Sequence, residues 1–228
     1  MLQRVVIMAA LLTIVSQAQT VVRKPFIRAS GEGVVSYQPD QMKLAISVVT
    51  QADTAQQAAD DNATRSTTVI AAVKNMLGSK GDLRTTSYSV NPVYKYASNG
   101  AATLIGYTAT NSIEVTTTDL GIAGRLIDVG VQAGASTVGG IRFGLKDPQP
   151  ARQTALKLAT QQARASADAI ASGLNAKLGA VVSVEESSAV GSVTSNRVDS
   201  TAGGAAVTPV ETGMVEVRAS VVIEVELI

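Results

Sequence analysis

Residues 103–145, TLIGYTATNSIEVTTTDLGIAGRLIDVGVQAGASTVGGIRFGL, constrain the fold more than any other stretch of this chain. Apolar and polar residues alternate over 104–115, the period-two pattern of a half-buried strand. The spacing then changes. Ala123, Leu126, Ile127 and Val131 recur at helical intervals, so 120–131 predicts an amphipathic helix with Asp119 at its N-cap. Gly134 is placed to end that helix, and 137–145 reads as a second extended run. Gly124 and Gly130 sit inside the helix, where each costs about 1 kcal/mol relative to Ala. Glycines kept at such a cost predict a close approach between this helix and a sheet.

The rest of the chain repeats this grammar. Residues 29–37 are extended and carry Gly31 and Gly33. Gln38-Pro39-Asp40 is a turn, because Pro39 fixes φ and has no N–H. Residues 42–49 alternate again, and the two runs are expected to pair as a hairpin. Asp53 or Thr54 caps a long amphipathic helix with Ala55, Ala58, Ala59, Asn62, Ser66, Val69, Ile70, Val73, Met76 and Leu77 at helical spacing and Gln56, Asp60, Asp61, Arg65 and Lys74 on the opposite face, ended by Gly78. A strand over 83–96, a turn at Ser98-Asn99-Gly100 and the strand of the opening stretch follow. A third helix starts near Asp147-Pro148; Ala155, Leu158, Ala159, Gln162, Ser166, Ala169 and Ile170 keep its period, and its small residues predict tight packing on a neighbour or sheet. Residues 178–187 form a strand. Residues 188–208 are Ser-, Gly-, Ala- and Thr-rich without a period and read as a flexible loop. The last run, 214–228, alternates cleanly and belongs inside a sheet.

The order ββαββαβαββ predicts an α+β fold of two two-layer lobes, with mainly antiparallel sheets and helices packed on one face. Lobe one is expected to comprise 29–96 plus the C-terminal strands, and lobe two about 103–178. Strand–helix–strand occurs twice, at 42–90 and 104–145. The two units match weakly, ISVVTQADT against IEVTTTDLG.

Composition narrows the chemistry. The chain has no Cys, His or Trp. Thiolate nucleophiles, disulfides, imidazole bases and His- or Cys-ligated metals are therefore excluded. At the N-terminus, Arg4 precedes an apolar run over 5–15 broken only by Thr13, and Ser16-Gln17-Ala18 supplies small residues for cleavage. A run of this length spans about 16 Å as a helix, roughly half a bilayer core. Residues 1–18 therefore read as a cleaved secretory signal, with no integral membrane span left after cleavage. Removing them takes Arg4 and no acid, which leaves 18 basic against 18 acidic side chains. A neutral protein has no global field to attract nucleic acid.

No motif forms a catalytic constellation. Gly31-Glu32-Gly33 is followed by no helix, and the glycine-rich 134–140 leads out of a helix, so neither suits a phosphate. Asp60-Asp61 and Glu185-Glu186 are adjacent residues that do not share a face, and neither pair makes a dyad. Tyr88, Tyr94, Tyr96 and Tyr107, with Lys95, gather around one hairpin. Tyr88, Tyr94 and Tyr96 form a candidate contact surface. No cofactor and no metal is implied.

ASGEGVVSYQPDQ, DLRTTSYSVNPVYKY, GYTATNSIEV, DLGIAGRLIDVGVQAGASTVGGIRF and the late helix with alanine at every fourth position resemble, in that order, the SIMPL-domain family. That family includes YggE-like oxidative stress defence proteins and periplasmic immunogenic proteins of Gram-negative bacteria. The resemblance covers roughly 29–228. It implies export to the periplasm or outer membrane, an association with oxidative-stress protection, homo-oligomers in some members, and no established catalytic residues. The family elements fall on Gly31, Gly33, Pro39, Asp40, Gly106 and Tyr107, and are expected to be structural. RASADA at 164–169 departs from the Lys-Ala pair of many members. The function expected is non-enzymatic and self-assembling. A small-ligand-binding module, with its site in a cleft between the lobes or at the Tyr hairpin, is the alternative.

Overall fold

The computed structural model describes residues 24–98, 100–189 and 208–228. The signal segment expected at 1–18 lies outside the described residues, as does most of the stretch 188–208 expected to be a loop. The elements are β1 (Phe26–Tyr37), β2 (Gln41–Ala52), α1 (Ala55–Leu77), β3 (Gly81–Tyr96), β4 (Ala102–Thr117), α2 (Ala123–Gln132), β5 (Thr137–Gly144), α3 (Gln149–Gly173), β6 (Leu178–Ala189) and β7 (Val215–Leu227). This is the mixed α+β order read from the sequence, with antiparallel sheets and helices packed against them. Asp119 stands before a short 3-10 turn, Leu120–Ile122, rather than directly before α2. Thr54 is the cap of α1, its hydroxyl accepting from the Gln57 N–H at 3.2 Å.

The strands form two antiparallel sheets, ordered β1-β7-β6 and β3-β4-β2-β5. The expected hairpin between the first two strands does not form. β1 pairs along its whole length with β7, from Phe26↔Glu226 to Tyr37↔Val215. β2 instead lies between β4 and β5. The inward faces explain the separation. β1 turns Ile27, Ala29, Gly31 and Gly33 inward, a face mostly without bulk. β2 turns in Met42, Leu44, Ile46 and Val48. A helix cannot rest at one height on both.

The strands also divide differently from a boundary near residue 100. β2, α1 and β3 share their sheet with β4, α2 and β5, while α3 packs on β1 and β7. The two strand–helix–strand units are therefore interleaved halves of one sheet. Each leaves a gap that the other's first strand fills, the split βαβ arrangement. The weak match between them has a geometric counterpart: Ile46 and Ile113, which open the two similar segments, face each other across β2 and β4.

The four-stranded sheet has a core of ordinary bulk. Met42, Leu44, Ile46, Val69, Val73, Val115 and Leu126 are buried between sheet and helices. Gly130 meets Val138 and Ile46 so closely that a β-carbon there would lie 3.1 Å from Val138 Cγ2. One polar group enters this core. Asn62 of α1 is fully buried and donates to the carbonyls of Val48 at 2.9 Å and Ala109 at 3.0 Å, while Ser66 donates to its Oδ1 at 3.2 Å. The amide thus pins α1 across the two central strands.

The three-stranded sheet is packed in another way. Ala151, Ala155, Ala159, Ala163, Ala167 and Ala171 form a buried row along α3. This row of fourth residues lies over β1 and β7, antiparallel to β1. A β-carbon on Gly31 would lie 2.2 Å from the Ala159 carbonyl oxygen, and one on Gly33 would lie 2.0 Å from that of Ala155. Helix backbone rests on strand backbone, with no side chain between them.

Gly33→Ala or Gly31→Ala must therefore push α3 off its sheet, at a cost of about 3 kcal/mol by the usual scale of overpacking. Gly139→Ala, which meets nothing within 4 Å, should stay within about 0.5 kcal/mol of the parent. Urea denaturation of the three variants checks this, and equal midpoints would contradict it. Asn62→Leu, which strips two buried carbonyls of a donor, should lower stability by about 2 kcal/mol in the same measurement.

Candidate functional site

Three places in the fold combine polar chemistry with defined geometry. The first is the crossover between the sheets. The chain leaves β1 through Pro39-Asp40 into β2, and leaves β5 through 145–148 into α3. Asp40 laces these passages together. Its N–H donates to the Gly144 carbonyl at 3.1 Å, and its Oδ1 accepts the Lys146 N–H at 2.6 Å. Every oxygen and N–H named here is spent on backbone, so Pro39 and Asp40 form a joint.

The second is the far end of the β3–β4 hairpin. β2 pairs with β4 only as far as Ala52↔Tyr107. Beyond that point 93–98 and 100–106 project as a two-stranded arm. Gly106 sits at its root with φ of 148°, and a β-carbon there would lie 2.8 Å from the Ala52 carbonyl oxygen. Glycine lets β4 pass the end of β2 at this point. Ile105 is an extra residue where the β3–β4 register shifts, and Tyr107 lies half-buried opposite Pro92. Tyr94 and Tyr96 share one face of the arm. They are 47% and 71% exposed, and Leu104 and Ile105 on the facing strand are 45% and 48% exposed. Tyr88 is not part of this group. It pairs with Asn111 inside the sheet, about 20 Å along the strand from Tyr94.

The third lies between α1 and the end of α2. Val49, Thr50 and Gln51 form the floor of an open cleft of about 650 Å³. Asp61, Thr64, Arg65 and Thr68 form one wall, and Ala133 and Gly134 the other. Sequence reading assigned Asp61 and Arg65 to a solvated helix face. Their i, i+4 spacing shows that they share a flank, but only the position of α2 turns that flank into a wall.

The acidic pairs are split as their spacing required. Glu185 meets Arg28 at 3.3 Å on one side of its strand, and Glu186 meets Arg152 of α3 at 2.6 Å on the other. Asp60 accepts from the Gln56 amide at 3.0 Å. Asp119 accepts from Lys80 at 3.0 Å, and this hydrogen bond holds its carboxyl below the ordinary carboxylate range. Arg218 hydrogen-bonds Glu216 at 2.9 Å and Glu32 at 3.3 Å, which raises its guanidinium above the usual value. Among the described residues no three acidic side chains gather as metal ligands. No described helix is long and apolar enough to cross a membrane.

Comparison with known proteins bears on the whole of this architecture. The family described as SIMPL, protein of unknown function (DUF541), matches residues 27–225. The 26 kDa periplasmic immunogenic protein of Brucella melitensis biotype 1 is 30% identical over 164 residues, covering 70% of this chain and 66% of that protein. The chain thus spans just under two thirds of that relative's length. The uncharacterized protein YggE of Escherichia coli strain K12 is 30% identical over 187 residues, covering 79% of this chain and 74% of its own. YggE of Edwardsiella ictaluri is 27% identical over 168 residues, covering 74% of this chain and 70% of its own. The match runs from β1 to β7 and takes in the glycine-backed helix, the Asp40 joint and the arm: the chain belongs to the SIMPL family.

Proposed function

We propose that this chain is an exported protein of the bacterial envelope that acts by assembling with copies of itself rather than by catalysis. The N-terminal apolar segment and the periplasmic designation of the Brucella relative support the location. The link to oxidative-stress defence rests on the family resemblance.

One observation carries self-assembly: the projecting arm. An isolated two-stranded ribbon is marginal in water. This one extends past its sheet and still carries Tyr94, Tyr96, Leu104 and Ile105 in the open. Apolar side chains concentrated on a protrusion mark a contact surface. The same chain offers a second such surface. Among the described residues β6 is an edge strand, with β7 on one side and no strand on the other. Val181, Val182 and Val184 along it are half-exposed or more, and Phe26 is also exposed. A molecule with an apolar arm and a separate apolar edge can join head to tail, a geometry that closes into rings or extends into filaments.

Light scattering coupled to size exclusion tests this on the mature chain. The parent is expected to run as an oligomer. The triple variant Tyr94→Ser, Tyr96→Ser, Leu104→Ser should run at lower mass with an unchanged circular dichroism spectrum. A parent that stays monomeric at every workable concentration, or a variant of parental mass, would overturn the proposal.

A further inference from the structure

The cleft between α1 and α2 holds a charge pair that does not close. Asp61 and Arg65 are one helical turn apart, with the acid first, the more favourable order for an i, i+4 pair. On α3 the reverse order, Arg164 and Asp168, still meets at 3.7 Å. On α1 neither side chain has a hydrogen bond or ion pair to another described residue. Gly134 has φ of 98°, and a β-carbon there would lie 3.6 Å from Arg65 Cγ and 3.8 Å from its Cδ. The arginine stem lies against this glycine at the end of α2.

The remaining wall groups are biased towards one kind of ligand. Thr64 and Thr68 donate their hydroxyl protons to the carbonyls of Asp60 and Thr64, and Thr50 donates to Ala58. Their oxygens are left to accept only. The C-terminus of α2, at Ala133 and Gly134, adds the negative end of a helix dipole. The cleft therefore presents one cation, on an exposed side chain, among acceptors and an acid. Gln51 and the apolar Val49 and Ala133 complete it.

We propose that this cleft binds a small zwitterion of amino-acid or dipeptide size, its carboxylate on Arg65 and its ammonium on Asp61 and the threonine oxygens. Residues one helical turn apart have β-carbons about 6 Å apart, so a small molecule with charged ends can reach both side chains. The volume of about 650 Å³ exceeds what the charged ends need. The side chain of the ligand then lies in open space, and recognition is broad across side chains. The site does not depend on the assembly proposed above, since neither the arm nor β6 contributes to it.

The test is titration of the full mature chain, in its native assembly state, with glycine and glycylglycine. Acetate alone and methylamine alone serve as half-ligands. Binding is read by calorimetry and by chemical shifts of the Gln51, Thr64, Thr68 and Gly134 amides. Both zwitterions should bind at least about tenfold more tightly than either half-ligand, since each end adds a charge-assisted hydrogen bond. Arg65→Gln and Asp61→Asn should each weaken binding by about tenfold or more while leaving the thermal midpoint of the free protein in place. Thr67→Ala, on the same helix but outside the cleft, should bind as the parent does. No shift at these amides with either zwitterion would overturn the proposal. Acetate binding as tightly as glycine, unaffected by Asp61→Asn, would also overturn it, leaving Arg65 as an anion contact or a partner of the α2 dipole.

Discussion

The contact between the backbone of α3 and the backbone of β1 sets the geometry of everything around it. Gly31 and Gly33 leave no room for a β-carbon, and the alanine row of α3 supplies the complementary small face. Such packing gains less from buried side-chain area than a leucine core does. It gains from many close van der Waals contacts and from the rigidity of two regular backbones. It also accounts for the second sheet. A strand thinned in this way cannot share a helix with Met42, Leu44 and Ile46, so β1 and β2 separate. Asp40 then ties the two crossing passages together.

Much of this was legible in the sequence, and the reason is periodicity. Alternation identified β2, β4 and β7, helical spacing identified α1 and α3, and the glycines inside α2 correctly signalled close packing at Gly130; the buried face of α3 was misjudged in part, since Leu158 and Ile170 are exposed and the alanine row at every fourth position is buried instead. Alternation tells which residues share a face. It does not tell which strand lies alongside. The β1–β2 hairpin and the lobe boundary were drawn from closeness in sequence, and the structure replaced both with pairings between distant strands. The partner of β1 is β7, at the other end of the chain. The small size of Gly31 and Gly33 against the bulk of Met42 and Leu44 was the available signal that these strands serve different helices.

The candidate sites divide in the same way. Gly106 and Tyr107 stood out as a motif, and they prove to be the root of the arm. The grouping of Tyr88 with Tyr94 and Tyr96 followed from sequence proximity, and the strand rise separates them. The cleft was invisible to sequence reading because its second wall comes from α2, more than sixty positions beyond Arg65. A solvated helix flank and a cleft wall have the same local pattern until a neighbour is placed against one of them. What the family membership adds is the breadth of the match, from β1 to β7, with no activity attached to it.

Because the chain contains no cysteine, a single introduced thiol reports on one position only. The most direct test of arm-mediated assembly is to place a photo-crosslinker at position 96, through Tyr96→Cys, and to map the crosslinked residues by mass spectrometry. The account predicts crosslinks between copies, landing on β6 around Val182. Crosslinks confined within one chain, or an absence of crosslinks between copies in a sample that is oligomeric by mass, would contradict it.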